Sequence, residues 1–463
     1  MKPRVIDLFA GAGGLSLGFH AAGCRIQAAV DLDPVAARTF KANFVVIQPN
    51  EPPETFGGYD HGNLESLDLA SIASGDPPDI LIGGPPCQGF SRLGRAKLAS
   101  LAEDAMLEDP RNSLYLRFLD AAGYWQPRAV VMENVPGMLS LKGRNVAEEV
   151  AADMADRGYR VGYAILNAAW YGVPQFRERL FFIGIRNDLE VWPEMPQITH
   201  WTSQSSGYQQ PHAVCQPLLP FFAFRELAVR PVDKVKVATT VSDAFDDLPR
   251  LTDHLNATSP PKGTFLISRK YRRPPHSTYA TLMRNWPGFP RAKTIDDHVT
   301  RRTPRDYEIF RRMKPGDRYP EALAIAAQLF EEELVRRSAG GKRPHHRSNA
   351  YRELQKRFIP PYPEDMFLDK WRKLMADQPS WTVPAHLSKD TYSHIHHDSD
   401  QARMISVREA ARLQSFPDQF RFQGNMGDCY RQIGNAVPPL LAWSIASTLL
   451  HLLGYNETEV GNR

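Results

Sequence analysis

The twenty residues from Arg4 to Gly23, RVIDLFAGAGGLSLGFHAAG, decide the fold. Residues 4–9 form a β-branched and aromatic run; Gly11, Gly13 and Gly14 interrupt it, and LSLGFHAA follows as a helical segment that stops at Gly23. Strand, glycine-rich turn and helix open a doubly wound sheet, where backbone amides and a helix N-terminus can approach a nucleotide-like ligand. A dinucleotide fingerprint would continue as G-x-G-x-x-G, but Ser16 takes the third glycine position, which weakens a nicotinamide reading. The next predicted strand, Ile26–Val30, ends in Asp31-Leu32-Asp33, an acidic site suited to ribose hydroxyls. Taken alone, these features fit any nucleoside cofactor, or turn glycines that serve only the chain's path.

Outward from this unit, further apolar strands are predicted at Ile80–Ile82, Ala129–Met132 and Leu180–Ile185, with helices at Leu114–Tyr124 and Val146–Arg157. Alternation of this kind over about 185 residues predicts the α/β class, a doubly wound and mostly parallel sheet. After Asn187 the character changes. Residues 190–265 are rich in Pro, Gln, Ser and Thr without a sustained period, and 266–375 interleave basic and aromatic residues. A helix is predicted at Glu321–Arg337, followed by Gly340-Gly341 and a His/Arg-rich loop to Arg347. An amphipathic helix at Ser406–Ser415 and an apolar one at 440–453 close the chain.

Composition sets limits. With 463 residues, 42% hydrophobic and 23% charged, and a net charge of +4, the chain has ample core and no disorder signature. No uninterrupted apolar run reaches the ~18 residues of a membrane span. The nearest, Leu440–Leu453, carries Ser444, Ser447, Thr448 and His451, and Asp7 and the glycines interrupt any signal-peptide core. Cys24, Cys87, Cys215 and Cys429 lie far apart without a C-x-x-C pair, which argues against zinc and disulfides and suits a reducing interior. Residues 261–350 hold 20 Lys/Arg and 9 Asp/Glu, so this block carries +11 and the remainder −7. Such a block fits a polyanion-binding region or a solvated basic surface.

The sharpest chemical signal is GGPPCQGFS at 83–91. Cys87 follows a rigid Gly-Gly-Pro-Pro turn at the end of a strand, where open α/β sheets place ligands, and so is expected as a nucleophile rather than a core thiol. The residues after it include Ser91, Arg92, Arg95 and Lys97, a phosphate-seeking loop or a solvated one. Glu133 ends another apolar strand, where partial desolvation raises a carboxyl pKa and suits it to donate a proton. In QFRERLFFIG at 175–184, Arg177 and Arg179 alternate into a strand and share a face. They can grip an anion or pair with a carboxylate such as Glu133.

These motifs together resemble the DNA (cytosine-5) methyltransferases. DLFAGAGGLSLGF resembles the family's cofactor motif, GGPPCQGFS its nucleophile motif, ENV at 133–135 its base-contacting glutamate motif, and QFRER its Q-x-R-x-R motif. REAARLQSFPD at 408–418 and YRQIGNAVPP at 430–439 resemble the last two. The resemblance implies a Rossmann-like catalytic domain at 1–188, completed by 421–463, and a smaller irregular target-recognition domain with a hinge at 189–420. It also implies S-adenosylmethionine as cofactor, with no metal, and double-stranded DNA as partner. A cognate restriction endonuclease is an optional companion, and the protein is expected as a cytoplasmic, nucleoid-associated monomer. A tRNA-methylating branch of the family lacks so long an insertion, so DNA is favoured.

The resemblance further implies residue roles. Cys87 adds to carbon 6 of a flipped-out cytosine, Glu133 donates to ring nitrogen 3, and Arg177 and Arg179 position Glu133 and the base. Asp7, Phe9, Gly11, Gly13, Gly14, Leu15, Asp31, Leu32, Pro86, Asn435 and Val437 are implied around the cofactor. Asp31 stands where the family usually has Glu. Gly62-Asn63-Leu64 replaces the usual Gly-Asp-aliphatic run, and Asn63 can still accept from the adenine amino group. Gln88, Ser91, Arg92, Arg95 and the basic residues within 269–318 are implied as DNA contacts. His394, His396 and His397 resemble a metal cluster in composition only, because the family carries histidines there without a metal.

Overall fold

The computed structural model describes residues 2–57, 68–73, 76–86, 114–139, 145–202, 224–256, 268–363, 370–387, 389 and 392–455. Strands β1 (Arg4–Leu8), β2 (Arg25–Asp31), β3 (Glu54–Gly57), β4 (Ile80–Gly83), β5 (Ala129–Asn134) and β6 (Tyr159–Asn167) come first in sequence. β7 (Gln175–Phe176), β8 (Glu178–Arg186), β9 (Ile198–Trp201) and β10 (Phe224–Glu226) follow. The central sheet has eight strands in the order β10-β6-β8-β5-β4-β1-β2-β3. Its pairs are parallel except at β8, which runs antiparallel to both β5 and β6. The sheet is therefore mixed at one end. Its strand order reverses at β1, with β2 on one side and β4 on the other, and such a switch point leaves a crevice at the strands' carboxyl ends.

Alternation along each strand divides the core into two layers. Val5, Ile80, Ala129, Val131, Phe181 and Ile183 face one cluster; Ile6, Leu8, Leu81, Val130, Met132, Leu180 and Phe182 face the other. By the same period of two, Asp7, Glu133 and Arg179 are placed on the first face. Helix α1 (Gly14–Ala21) begins at Gly13, which has φ 92°, and α2 (Pro34–Ile47) is capped by Asp33, whose carboxylate accepts from the amides of Val35 and Ala36.

The end of the chain returns to the first helix. The helix Pro439–Leu452 packs on α1 through glycine: a Cβ at Gly14 would lie 2.3 Å from the Val437 carbonyl, and one at Gly18 would lie 2.4 Å from Ala442 Cβ. The apolar stretch Met426–Leu452 is long enough to cross a membrane by composition. It is broken by Pro438-Pro439 into two helices, and 61% of its most apolar window is buried in this core.

The middle of the chain is joined to the first part of the chain through two strand pairings. β10, from within 189–420, is an edge strand on β6, and Ser380–Trp381 pairs with β7. A buried charge cluster ties three segments of this region together. Arg412 donates to Asp247 at 2.5 Å and to Asp418 at 2.7 Å, Arg284 Nε donates to Asp247 at 2.7 Å, and Tyr271 donates to Asp418 at 2.5 Å. Burial alone would weaken the Arg412 charge, but Asp418 and Asp247 outweigh it and hold the guanidinium proton well above its usual range. Two cations meet two carboxylates, so the cluster is neutral only while complete. Arg412→Met strands Asp418 in the core and is expected to destabilise the protein by about 3–5 kcal/mol, seen as a lower urea midpoint at unchanged slope.

Candidate active site

A cavity of about 730 Å³ opens at the carboxyl ends of β1, β2, β4 and β5. The glycine-rich turn forms one end. Phe9 adopts φ 63° and Gly11 φ 54°, a left-handed path that is costly for Phe9 and free for glycine. The Gly11 amide donates to Asp31 Oδ2 and the Asp33 amide to Asp31 Oδ1, both at 2.8 Å, so the Asp31 carboxylate braces the turn it faces. Burial raises the Asp31 pKa against these two amides. Leu32, beside it, keeps 55% exposure on the cavity wall, unusual for a leucine and open to a flat apolar group.

Asp7 lies behind the turn at 1% exposure. Its Oδ2 accepts from the Ser16 hydroxyl at 2.5 Å, whereas Oδ1, also buried, has no partner among the described residues. Burial, with the nearby charge of Asp31, pushes its pKa up to about 7 against the Ser16 hydrogen bond. An orphaned acceptor on the cavity wall is what a ligand cation would complete. Ser16, which breaks the dinucleotide fingerprint, therefore has a positive use here.

The other end of the cavity is built by β4, β5 and β8. Glu133 pairs with Phe181 in the antiparallel register, so Arg179 is its diagonal neighbour, and Arg179 Nε lies 2.8 Å from Glu133 Oε1. Glu133 packs over Gly84, where a Cβ would lie 3.0 Å from Oε2, and Asn134 Nδ2 donates to the Pro85 carbonyl at 3.3 Å. Burial raises the Glu133 pKa against the charges of Arg179 and Arg177. Pro86, also on the wall, is the last described residue before Cys87.

Arg177 does not join this pair. At 1% exposure it donates to the carbonyls of Val383 at 3.3 Å and Gly434 at 3.0 Å. Gln175 does similar work: it accepts from the Val383 amide and donates to Gln414, which in turn donates to the Ala436 carbonyl. The Q-x-R-x-R segment thus supplies one residue to the cavity and two clamps that hold the late chain against it.

Of the other residues expected at the cofactor, Phe9, Gly11, Gly14, Leu15, Asn435 and Val437 line the cavity. Gly13 is not among its described lining; a Cβ there would meet the rings of Phe40 and Phe44 at 2.7 Å, so its lack of a side chain serves packing. Asn63, Leu64, Cys87, Gln88, Ser91, Arg92 and Arg95 lie outside the described residues. Sequence reasoning did not single out Arg431, which lines the cavity and bridges to Asp33 at 3.0 Å; its place in YRQIGNAVPP was the available signal.

Cys24 and Cys429 are buried, and burial raises both thiols, Cys429 to about 12, so neither is poised as a nucleophile. His394 and His396 are buried and held neutral, their pKa values pushed down to about 3 by burial. Within 269–318, Arg284 is buried in the charge cluster and is withdrawn from the expected DNA contacts, whereas Lys270, Arg272, Arg291 and Lys293 are exposed.

Comparison with known proteins agrees with this geometry. The C-5 cytosine-specific DNA methylase family profile matches residues 3–451. A protein of Oceanobacillus iheyensis assigned as a type II methyltransferase, M.OihORF3336P, is 38% identical over 96% of this chain and 95% of its own length. The type II methyltransferase M.AgeI of Thalassovita gelatinovora is 32% identical over 96% and 99%. In fold, the chain is similar to a crystal structure assigned as a DNA modification methyltransferase encoded within a prophage (E. coli). That likeness has a TM-score of 0.62 and 24% identity, and covers 98% of this chain and 100% of the other. The chain belongs to the C-5 cytosine-specific DNA methylase family and is an S-adenosylmethionine-dependent DNA (cytosine-5)-methyltransferase.

Proposed function

We propose that the enzyme methylates cytosine within a short specific sequence of duplex DNA, through a covalent Cys87 adduct on a flipped-out base. The observation that carries this reading is the single cavity: the Asp7–Leu15 turn lines one end and the Glu133–Arg179 pair the other, with Pro86 on the same wall. When bound, S-adenosylmethionine supplies an activated methyl group; Asp7, Leu15, Asp31, Leu32, Asn435 and Val437 are the residues placed to hold it.

The chain's own residues do the rest. Carbon 5 of cytosine is a weak nucleophile, so the Cys87 thiolate forms a bond to carbon 6 and pushes electron density toward carbon 5. Glu133, whose pKa burial raises, donates a proton from its protonated form to ring nitrogen 3, and Arg179 holds the carboxyl in place. After carbon 5 is methylated, loss of its proton to a base breaks the bond to Cys87 and returns the thiolate; nitrogen 3 returns its proton to Glu133. A stacked base cannot reach this site, so flipping costs a few kcal/mol. Arg92 and Arg95, after Cys87, are assigned to the phosphates that offset this cost, and Asn63 to the adenine edge.

In this reading residues 1–188 and 421–463 form the catalytic domain and 189–420 the recognition domain. Kinship with type II methyltransferases supports a role in a restriction–modification system, and the alternative is a solitary bacterial or phage enzyme. It acts as a cytoplasmic, nucleoid-associated monomer, with a cognate endonuclease in the first case. Bisulfite sequencing of DNA from cells producing the protein tests the function: one sequence should be protected at one cytosine, and unprotected DNA would refute it.

A further expectation concerns Asp7. A carboxyl with a pKa of about 7 is partly neutral at neutral pH, and a cation beside Oδ1 favours its ionised form. S-adenosylmethionine binding should therefore tighten as pH rises from 6 to 8. Asp7→Asn should weaken binding about tenfold and abolish that pH dependence, measured by calorimetry. The sign for stability is opposite: with its pKa raised on folding, Asp7 favours the ligand-free fold at low pH, and that contribution is lost as pH climbs from about 4 to 7.

A further inference from the structure

The helices Tyr319–Ala339 and Asn349–Phe358 form a hairpin that the methyl-transfer site does not use. Its root, at Tyr319, Ala322 and Ala326, belongs to the main core, whereas Phe330, Leu334 and Leu354 make a small core of their own. At ~1.5 Å per residue, the 21-residue first helix carries its far end about 30 Å from the root.

Charge is distributed unevenly along this hairpin. On the stem it is balanced: Glu332 holds Arg312 at 2.7 and 2.9 Å, and Glu333 takes Arg336 and Arg337, each at 2.7 Å. At the far end it is one-sided. Residues 338–352 contain Lys342, Arg343, Arg347 and Arg352 and no acidic residue. All four side chains are exposed, and none has an acidic partner among the described residues. His345 and His346 are exposed beside them, and the second helix presents its amino end, capped by Ser348, next to Arg347. No large apolar side chain is exposed between 338 and 352, so this surface offers charge without a pocket.

We propose that the hairpin end is a second DNA contact that grips backbone phosphates of the duplex flanking the recognised sequence. The proposal rests on the DNA-methylating reading above and deepens it. A cationic end without an apolar pocket suits a regular polyanion, whose binding gains from counterion release and needs no base reading. A reach of about 30 Å spans roughly nine base-pair steps of 3.4 Å, beyond a short target sequence.

The experiment uses the full chain with Lys342→Gln, Arg343→Gln, Arg347→Gln and Arg352→Gln combined. All four side chains are exposed, and an unchanged thermal midpoint verifies folding. Duplexes of 20 and 60 base pairs carry the same central target, identified by bisulfite mapping. Lengthening the duplex should lower the unaltered enzyme's KM for DNA at least fivefold and the variant's less than twofold. On the 60-base-pair duplex the slope of log affinity against log salt should shrink by about two or more, at ~0.9 per lost phosphate contact. A variant that keeps the length gain and the full salt slope overturns the proposal. Equal loss on both duplexes also overturns it, by placing these cations at the target sequence. Absence of methylation by the unaltered protein would refute the proposed function instead, while salt-dependent binding to the 60-base-pair duplex still tests the hairpin.

Discussion

Cys87→Ser is expected to lower methyl transfer by about ten-thousand-fold or more while leaving S-adenosylmethionine affinity within about twofold. A serine hydroxyl is almost wholly protonated at neutral pH, whereas a few per cent of an ordinary thiol is thiolate. Without the adduct, carbon 5 keeps its aromatic reluctance, and among the described residues of the cavity no other thiol can form the lost bond. Apart from Pro86, the described cofactor residues are on the β1 turn, at the end of β2 and in the late chain, so the binding site survives the substitution. Single-turnover methylation with radiolabelled cofactor, beside calorimetric cofactor binding, separates the two effects. Cofactor binding lost in parallel with turnover would mean that Cys87 is structural.

Glu133→Gln is expected to reduce kcat by about a hundredfold to a thousandfold, with a much smaller change in KM for DNA. The amide keeps a hydrogen-bond donor near the base but cannot hand over a proton, and it leaves the Arg179 guanidinium without its carboxylate partner. Burial raises the Glu133 pKa, so the protonated, donating form persists to higher pH than for a free carboxyl. Wild-type kcat should accordingly fall as pH rises through that raised pKa, and this alkaline limb should vanish in the Gln variant. A pH–rate profile of unchanged shape would remove Glu133 from the proton donor's role.

How much of this was legible in the sequence depended on how local each signal was. The β1–turn–α1 unit and the strand bearing Glu133 could be read because alternation and glycine punctuation act over a few residues. The Glu133–Arg179 pair was foreseen among several options, but spacing could not say which arginine makes it. Arg177 and Arg179 share strand periodicity; only the distant carbonyls of Val383 and Gly434 separate them. Gly13 was likewise visible as part of a turn, while the stacked rings of Phe40 and Phe44 decide that it packs rather than lines the cavity. Gly18 looked like an ordinary helix residue until the helix from the other end of the chain closed on it. β10 was missed because three residues are too few for a period, and β6 supplies its pairing partner from far away. The charge count located a basic block correctly but could not show that Arg284 and Arg312 are neutralised by Asp247 and Glu332, leaving the unbalanced charge elsewhere.

Duplex DNA in which 5-fluorocytosine replaces cytosine tests the covalent mechanism most directly. Fluorine at carbon 5 cannot leave as a proton does, so an enzyme that has added to carbon 6 stays bonded after methylation. Incubation with S-adenosylmethionine, digestion and peptide mass mapping should reveal a cofactor-dependent adduct on the peptide containing Cys87, absent from Cys87→Ser. Methylated product without an adduct, or an adduct mapped to Cys24, Cys215 or Cys429, would contradict the account.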